Sequence, residues 1–200
     1  LVQDANHNGV ADVGEPVVQT TGTDAYGNYT FLNVPPGDYV VVETDAGGFV
    51  SSADTDGAND NQVGVTVGAG ENSTGHDFLD TRGGTIGDRL WLDENADGIQ
   101  DAGEAGIGNV TVELLDADGA VIADTVTDTE GRYRFTGLPA GTYTVRVDTA
   151  TLASGLAANP TFDPDATINH QTAVVLTPGA MVETADFGYN WSSADDVNDG

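Results

Sequence analysis

The sequence predicts an all-β fold in which two tandem β-sandwich modules follow each other along the chain. Three observations support this prediction: apolar residues alternate with polar ones, turn-forming residues separate the alternating stretches, and one block of sequence occurs twice. Glycine contributes 27 of the 200 residues, and Asp and Asn crowd the stretches between apolar runs. Short strands separated by regular turns are typical of sandwiches, and no stretch has the apolar period of a helix.

An internal repeat divides the chain into two copies of one module. Residues 24–39 match residues 128–143 at a constant offset of 104, including a turn glycine and the aromatic residues after it. Residues 4–9 match residues 93–98 at an offset of 89, and a short match that ends the repeat lies at an offset of 109. Self-similarity at a fixed spacing indicates a repeat protein. We therefore expect module 1 over residues 1–81, module 2 over residues 82–190, and a tail over residues 191–200.

Module 2 shows the alternation of half-buried strands most clearly. Val110, Val112 and Leu114 alternate with polar residues, which is the period of a strand with one face on the core. Residues 116–119 and 138–141 carry the Asp, Pro and Gly that favour turns, so we predict a hairpin at each. The same period of two recurs at Tyr133 and Phe135, and again at Tyr143, Val145 and Val147.

The change of offset from 89 to 104 means that module 2 contains 15 residues that module 1 lacks. These residues lie between the acidic loop and the turn at residues 128–131, where the strand that contains Val112 is predicted. Module 1 is therefore expected to lack one strand or one hairpin, which leaves a sheet edge open. A second copy or a neighbouring module covers that edge by strand addition, or module 1 is a smaller sandwich with a blunted edge.

The two ends of the sequence resemble the two halves of one strand. Residues 197–200 followed by residues 1–4 align without a gap with residues 86–93, and three of the eight positions are identical. The 200 residues are then one period of a longer tandem array or a subunit that docks head to tail, unless the match is a coincidence. The residues expected to take part in this assembly are Leu1, Val2, Val197 and Asp199.

Each module contains an acidic loop with the spacing of a twelve-residue calcium-binding loop. Side-chain oxygens at positions 1, 3, 5, 9 and 12 and a carbonyl at position 7 surround one point when the glycine at position 6 lets the loop turn. We expect at least two Ca²⁺ ions, one per module. The predicted ligands are Asp4, Asn6, Asn8, Val10, Asp12 and Glu15 in loop 1 (residues 4–15), and Asp93, Asn95, Asp97, Ile99, Asp101 and Glu104 in loop 2 (residues 93–104).

Strands rather than helices flank both loops, so the pattern predicts EF-hand-like loops that hold a structural ion, not a calcium sensor. The alternative is an Asx-rich turn without metal, since Asp and Asn favour turns in any case. Loop 2 has four acids at ligand positions and loop 1 has three, which predicts tighter binding by loop 2.

A second group of acids follows later in each module. It consists of Asp54, Asp56 and Asp60 in module 1, with Asp163 and Asp165 as the rough counterparts in module 2. These acids could hold a further ion beside the sheet, and the alternative is a solvated loop.

The composition excludes several classes of partner. The chain has 33 acidic residues, five arginines, no lysine and no cysteine, and its net charge is −28. Such a chain repels nucleic acid and anionic membranes and attracts cations. The sequence also lacks an apolar run of the length that crosses a membrane, so we expect no membrane insertion of this segment.

The motifs of residues 86–104, 110–116 and 127–145 resemble the B-type repeat of bacterial serine–aspartate repeat surface proteins. The resemblance implies an immunoglobulin-like or prealbumin-like sandwich, calcium in the acidic loop, and a rigid spacer on the cell surface. Related collagen-adhesin domains often carry a Lys–Asn isopeptide crosslink. A chain without lysine cannot form that crosslink, so calcium is the remaining staple.

These observations predict a calcium-stabilised structural module of an extracellular stalk, adhesin or filament, whose partners are copies of itself or neighbouring modules. An enzyme is not expected, because the three histidines are isolated and no nucleophile motif accompanies them. The alternative is a surface adhesion module that recognises a glycan or a protein of a host or cell surface through exposed aromatic residues. The candidates for that role are Trp91, Trp191 and Tyr26.

Overall fold

The structure, a computed structural model, describes residues 1–165 and 167–191 and divides the chain into two compact units, Leu1–Thr81 and Arg82–Gly200. The described residues form strands and one three-residue 3₁₀ helix, Thr149–Thr151, so the fold is all-β as predicted. Val197 and Asp199, which the sequence assigned to assembly, lie outside the described residues.

The strands are short, as a turn-rich sequence requires. Unit 1 contains β1 (Val2–Gln3), β2 (Gly37–Val42), β3 (Phe49–Asp54), β4 (Gln62–Val67) and β5 (Phe78–Arg82), which ends on the first residue of unit 2. Unit 2 contains β6 (Gly84–Leu92), β7 (Thr111–Leu115), β8 (Val121–Val126), β9 (Arg132–Leu138), β10 (Gly141–Val147), β11 (Pro160–Phe162), β12 (Gln171–Leu176), β13 (Met181–Glu183) and β14 (Phe187–Tyr189).

Unit 2 is a sandwich of two sheets around one core. The first sheet is antiparallel in the order β12-β10-β7-β8. The second is built on β6, which pairs with β9 antiparallel and with β13 and β14 parallel, while β11 pairs with β14. The period of two buries Val112 and Leu114 of β7 completely, which confirms the strand predicted there. Ile86 and Leu90 of β6 and Val145 of β10 meet them in the core.

One of the two predicted hairpins is correct and the other is wrong. β7 and β8 pair across residues 116–119, where Asp116 Oδ1 accepts the backbone N–H groups of Asp118 and Ala120 at 3.0 and 2.8 Å. Residues 138–141, however, carry the chain from one sheet to the other, because β9 pairs with β6 whereas β10 pairs with β7 and β12. The hydroxyl of Tyr143 spans this turn and donates to the carbonyl of Pro139 at 2.8 Å.

Unit 1 has a smaller core and fewer strands. Its sheet has the order β1-β2-β4, and β3 pairs with β5. Residues 1–81 are all described, and no strand lies between β1 and β2; Val17 forms only an isolated bridge with Val2. Val40 of β2 pairs with β1, whereas the corresponding residue of unit 2, Thr144 of β10, pairs with β7. Beside this strand, β1 therefore takes the place of β7. The buried core consists of Leu1, Tyr39, Val41, Val63 and Val65.

Candidate metal centres

Both acidic loops curl around their first aspartate. In loop 2 the carboxylate of Asp93 is fully buried and accepts the backbone N–H groups of Asp97 and Gly98 at 3.2 and 2.8 Å. In loop 1 Asp4 makes the same two bonds to positions 5 and 6, also at 3.2 and 2.8 Å. Position 6 has a φ of +79° in loop 1 and +74° in loop 2, a conformation that glycine adopts without strain.

The side chains at positions 3, 5 and 9 meet at one point in each loop. The amide of Asn95 donates to Asp97 at 3.0 Å and to Asp101 at 3.3 Å. In loop 1 the amides at positions 3 and 5 both donate to Asp12, at 2.7 and 2.8 Å. The structure therefore brings together the three side chains that the spacing predicted as neighbours.

The glutamate at position 12 closes each loop. Glu104 accepts the backbone N–H of Glu94 at 3.0 Å with one oxygen and that of Asp101 at 2.9 Å with the other. Glu15 bonds the same positions in loop 1, at 2.8 and 3.0 Å. Each loop thus presents oxygen donors from five side chains, and an oxygen-only set fits the preference of calcium. The carbonyls of Val10 and Ile99 stay predicted ligands.

Hydrogen bonds attach both loops to the strands behind them. The backbone N–H of Asp93 donates to the carbonyl of Tyr189 at 2.8 Å, and the backbone carbonyl of Asp93 accepts a hydrogen bond from the side-chain amide of Asn190 at 2.7 Å. Asp4 donates its N–H to the carbonyl of Asp38 in β2 at 3.0 Å. An ion in either loop would therefore hold a sheet as well as a loop.

The second acidic group of module 1 does not converge as a set. Asp56 and Asp60 are exposed and accept the N–H groups of Ala58 and Gln62, which closes their own turns. Asp54 is buried and takes the N–H groups of Asp60 and Asn61. In module 2 Asp163 is buried in the same manner, and Asp165 accepts the N–H of Thr167 in a turn.

Another acidic cluster was missed by the sequence reasoning. Glu43, Asp45 and Asp80 each place one carboxylate oxygen within 4.8 Å of the others, and no other His, Asp or Glu triplet of the described residues converges this closely. Asp80 lies in β5 and the other two follow β2, so only the pairing of strands brings them together. No local spacing motif could have revealed a cluster whose members are this far apart in sequence.

The aromatic residues considered for ligand binding have different surroundings. Trp91 is buried and packs against Phe162, with ring centroids 5.3 Å apart, so it belongs to the core of unit 2. Tyr26 is exposed in unit 1 and Trp191 is partly exposed in unit 2.

Unit 1 contains a groove where unit 2 has a strand. In unit 2 the first half of β6 lies between β9 and β13, and Ile86 pairs with Phe135 on one side and Val182 on the other. The corresponding residues of unit 1 are Phe31 and Ser73, and both line an open groove of about 760 Å³. The apolar residues that line it include Leu1, Tyr29, Val34, Val41, Val65 and Val67.

Comparison with known proteins shows the family of this chain. Residues 84–189, more than half of the chain, match the model of the SdrD B-like domain family. The chain belongs to this family. It is 32% identical over 94% of its length to serine-aspartate repeat-containing protein F of Staphylococcus epidermidis, and 34% identical over 74% to serine-aspartate repeat-containing protein D of Staphylococcus aureus. It spans only 12% and 13% of those two proteins.

Two pilins are among the similar solved structures. The minor pilin GBS52 of Streptococcus agalactiae matches 84% of this chain and 66% of its own, at 16% identity and a TM-score of 0.40. A double mutant of the shaft pilin SpaA of Lactobacillus rhamnosus GG matches 94% of this chain and 80% of its own, at 12% identity and a TM-score of 0.37.

Membership of the SdrD B-like domain family confirms the predicted resemblance to B-type repeats. It makes the chain an extracellular, cell-surface module of a structural or adhesin stalk and not an enzyme. In the part of the chain that the structure describes, no helix is long and apolar enough to cross a membrane.

Proposed function

We propose that this SdrD B-like chain is a calcium-stabilised module of an extracellular stalk or filament, and that such modules join in a line by strand addition. The observation that carries the calcium part is the shared bonding pattern of loop 1 and loop 2. In two segments 89 residues apart, the side chains at positions 3 and 9 are in contact, and the acids at positions 1 and 12 accept the same backbone N–H groups.

Charge explains why an ion would stabilise these loops. Loop 1 carries three carboxylates within twelve residues and loop 2 carries four, and like charges confined to one short loop repel each other. A bound Ca²⁺ replaces this repulsion with attraction. Because Asp93 is bonded to Tyr189 and Asn190, the ion in loop 2 also links the loop to the end of β14.

Thermal unfolding in calcium and in EGTA tests this part of the proposal. At a free calcium concentration of about one hundred times Kd, a single site stabilises the folded chain by about 2.7 kcal/mol. Glu104→Gln removes a charged ligand from loop 2 and should lose that increment, whereas Glu130→Gln, on an exposed turn of the same unit, should keep it. Equal calcium responses in these two variants would contradict a calcium site in loop 2.

The groove of unit 1 supports the strand-addition part. Apolar residues line the groove, and the segments that contain Phe31 and Ser73 correspond to the two strands that flank β6 in unit 2. The groove has a volume of about 760 Å³, which is suited to a short strand. Residues 197–200 match residues 86–89 in pattern, so Val197 corresponds to Ile86. We infer that residues 197–200 of a neighbouring copy lie between Phe31 and Ser73, with Val197 on the apolar floor.

Disulfide trapping tests this arrangement because the chain has no cysteine of its own. Ser73→Cys combined with Val197→Cys should give a ladder of covalent multimers under oxidising conditions, since Val182 and Ile86, the corresponding residues of unit 2, are direct parallel neighbours. The control pairs Val197→Cys with Val13→Cys on a fully exposed side chain and should stay monomeric. A monomeric Ser73/Val197 pair would contradict strand addition in this groove.

A further inference from the structure

Unit 1 contains a carboxylate cluster that neither calcium loop uses. Glu43 and Asp45 follow β2, Asp80 lies in β5, and one oxygen of each carboxylate lies within 4.8 Å of the others. Burial raises the pKa of both Glu43 and Asp80, and the charges of Asp45 and Asp54 raise these pKa values further. Without a cation, the folded unit must hold several mutually repelling carboxylates in a partly dry site.

Four oxygen atoms at this place are shielded from solvent and receive no hydrogen bond from a backbone N–H, an amide or a hydroxyl group, so a proton shared between Glu43 and Asp80 is the one hydrogen bond available to them. They belong to Glu43 (Oε2), Asp54 (Oδ1), Asn61 (Oδ1) and Asp80 (Oδ1). Asp54 as a whole is only 8% exposed, and its other oxygen already accepts the N–H groups of Asp60 and Asn61 at 3.0 and 2.9 Å. A buried oxygen without a donor is costly, and a bound cation is one of the few partners that satisfies several such oxygens at once.

Asn61 connects the parts of the cluster. Its backbone N–H binds Asp54, and its side-chain amide donates to Asp45 Oδ1 at 3.0 Å, which leaves the amide oxygen unpartnered. The backbone of Asn61 has a φ of +60°, a conformation uncommon for a residue with a side chain. The turn that precedes β4 is therefore shaped so that Asn61 reaches two of the acids.

Unit 2 keeps one acid of this site, Asp163, whose Oδ1 is likewise shielded and without a hydrogen-bond partner, and lacks the other three carboxylates. Asp163 corresponds to Asp54 and likewise accepts two backbone N–H groups, from Asn169 and Gln171. His170 replaces Asn61 and stacks on the ring of Tyr189 at 5.7 Å, with its Nδ1 3.1 Å from the tyrosine hydroxyl. The positions of Glu43, Asp45 and Asp80 are occupied by Val147, Thr149 and Tyr189.

We propose that Glu43, Asp45, Asp54, Asn61 and Asp80 form a third cation site, specific to unit 1, which takes a divalent ion with a preference for oxygen ligands, such as Ca²⁺. Four carboxylates and one amide oxygen are the hard donors that this ion binds. The site joins the end of β2 to the β3–β5 pair, so the ion links the two sheets of the smaller module. The proposal does not depend on ions in loop 1 or loop 2.

Native mass spectrometry of the full chain in calcium tests the proposal by a difference in ion count. The double variant Glu43→Gln, Asp80→Asn should carry one calcium fewer than the parent. A control with the same change of charge, Asp118→Asn with Glu130→Gln on exposed turns of unit 2, should match the parent. The expected difference is one ion whether or not the loops bind, so failure of the loops remains distinguishable. Equal counts in the double variant and the parent would overturn the proposal.

Thermal unfolding in EGTA and in calcium provides a second test, because removal of the two charges should affect the unfolding temperature differently in the two conditions. In EGTA the double variant should unfold at a higher temperature than the parent, because two charges of a repelling cluster have been removed. In calcium the parent should gain more than the variant. A double variant that is less stable than the parent in EGTA, with an unchanged gain in calcium, would show that the acids serve packing alone and would overturn the site.

Discussion

Single residues decide how closely β6 approaches the turn at residues 128–131. A Cβ on Gly131 would lie 2.0 Å from the carbonyl oxygen of Leu90 and 2.8 Å from the nitrogen of Ile107, and the residue has a φ of +74°. Gly27 is its counterpart in unit 1, with a φ of +82°, but nothing lies within 4 Å of the Cβ position. The two glycines share a backbone conformation and differ only in their surroundings.

This pair separates backbone strain from steric exclusion. Gly27→Ala should cost about 1–2 kcal/mol, the strain of a left-handed conformation for a residue with a Cβ. Gly131→Ala should cost at least about 3 kcal/mol, because the clash with the backbone of β6 adds to that strain. Denaturant unfolding measures both losses in the free energy of unfolding. Tryptophan fluorescence follows unit 2, because both tryptophans lie in its range, and far-UV circular dichroism follows both units. Similar losses at the two positions would contradict the close approach.

Asp186 is a half-buried charge that unit 2 tolerates at a cost. Burial and, to a smaller extent, the nearby charge of Asp88 raise its pKa to about 6, although the N–H of Arg89 donates to it at 3.0 Å. The folded chain therefore binds this proton more tightly than the unfolded chain. Its contribution to stability is largest at low pH and falls as pH rises from about 4 to about 6.

Asp186→Asn should abolish the loss of stability that occurs as pH rises, because an amide oxygen can still accept the N–H of Arg89 without carrying a charge. We expect unit 2 of the variant to be more stable than the parent at pH 7 and less dependent on pH between about 4 and 6. Asp77→Asn changes the exposed counterpart in unit 1 and serves as the control. Unfolding curves collected across this pH range would refute the argument if the variant lost stability at pH 7.

At the scale of elements, the two acidic loops are matched in structure and differ in charge. Position 5 is Asn8 in loop 1 and Asp97 in loop 2, so loop 2 offers four acids and loop 1 offers three. Additional ligand charge strengthens calcium binding in loops of this geometry.

Calorimetry on variants with one disabled loop should therefore give a lower Kd for loop 2. Glu15→Gln leaves loop 2 as the intact loop, and Glu104→Gln leaves loop 1. Asp97→Asn should weaken loop 2 toward the affinity of loop 1, since it equalises the acids at ligand positions. The reverse order of affinities would mean that the anchoring of the loops outweighs their charge.

Strand pairing shows which elements local sequence could specify. The alternation in β7 and the Asp-rich turn after it are local signals, and both predictions were correct. The turn at residues 138–141 has equally clear local chemistry, but it connects strands of different sheets. Turn residues indicate that the chain changes direction, but they do not indicate which strands pair with each other.

At the scale of the whole molecule, calcium and strand addition together predict a linear assembly that depends on metal. Electron microscopy of the assembled material before and after EGTA is the direct measurement. Fibres or rods should soften, shorten or dissociate when calcium is removed, because the loops and the adjoining strands lose their common ion. Particles that stay monomeric in both conditions would remove the filament interpretation and favour a search for glycan or protein ligands.

The sequence by itself determined the all-β class, the family and both acidic loops, because each depends on residues close together in the chain. Spacing of acids over twelve positions and a period of two over five positions are local properties. Such signals survive in a single sequence because the backbone geometry of a loop or a strand fixes them directly.

Only the tertiary structure decided which distant residues meet. The placement of β1 beside β2, the groove between Phe31 and Ser73, and the cluster around Asp80 all arise from the pairing of strands. Pairing is chosen by the burial of apolar surface over the whole unit, and a local pattern carries little information about it. For this reason the acidic loops could be located from local spacing, and the carboxylate cluster of unit 1 could not.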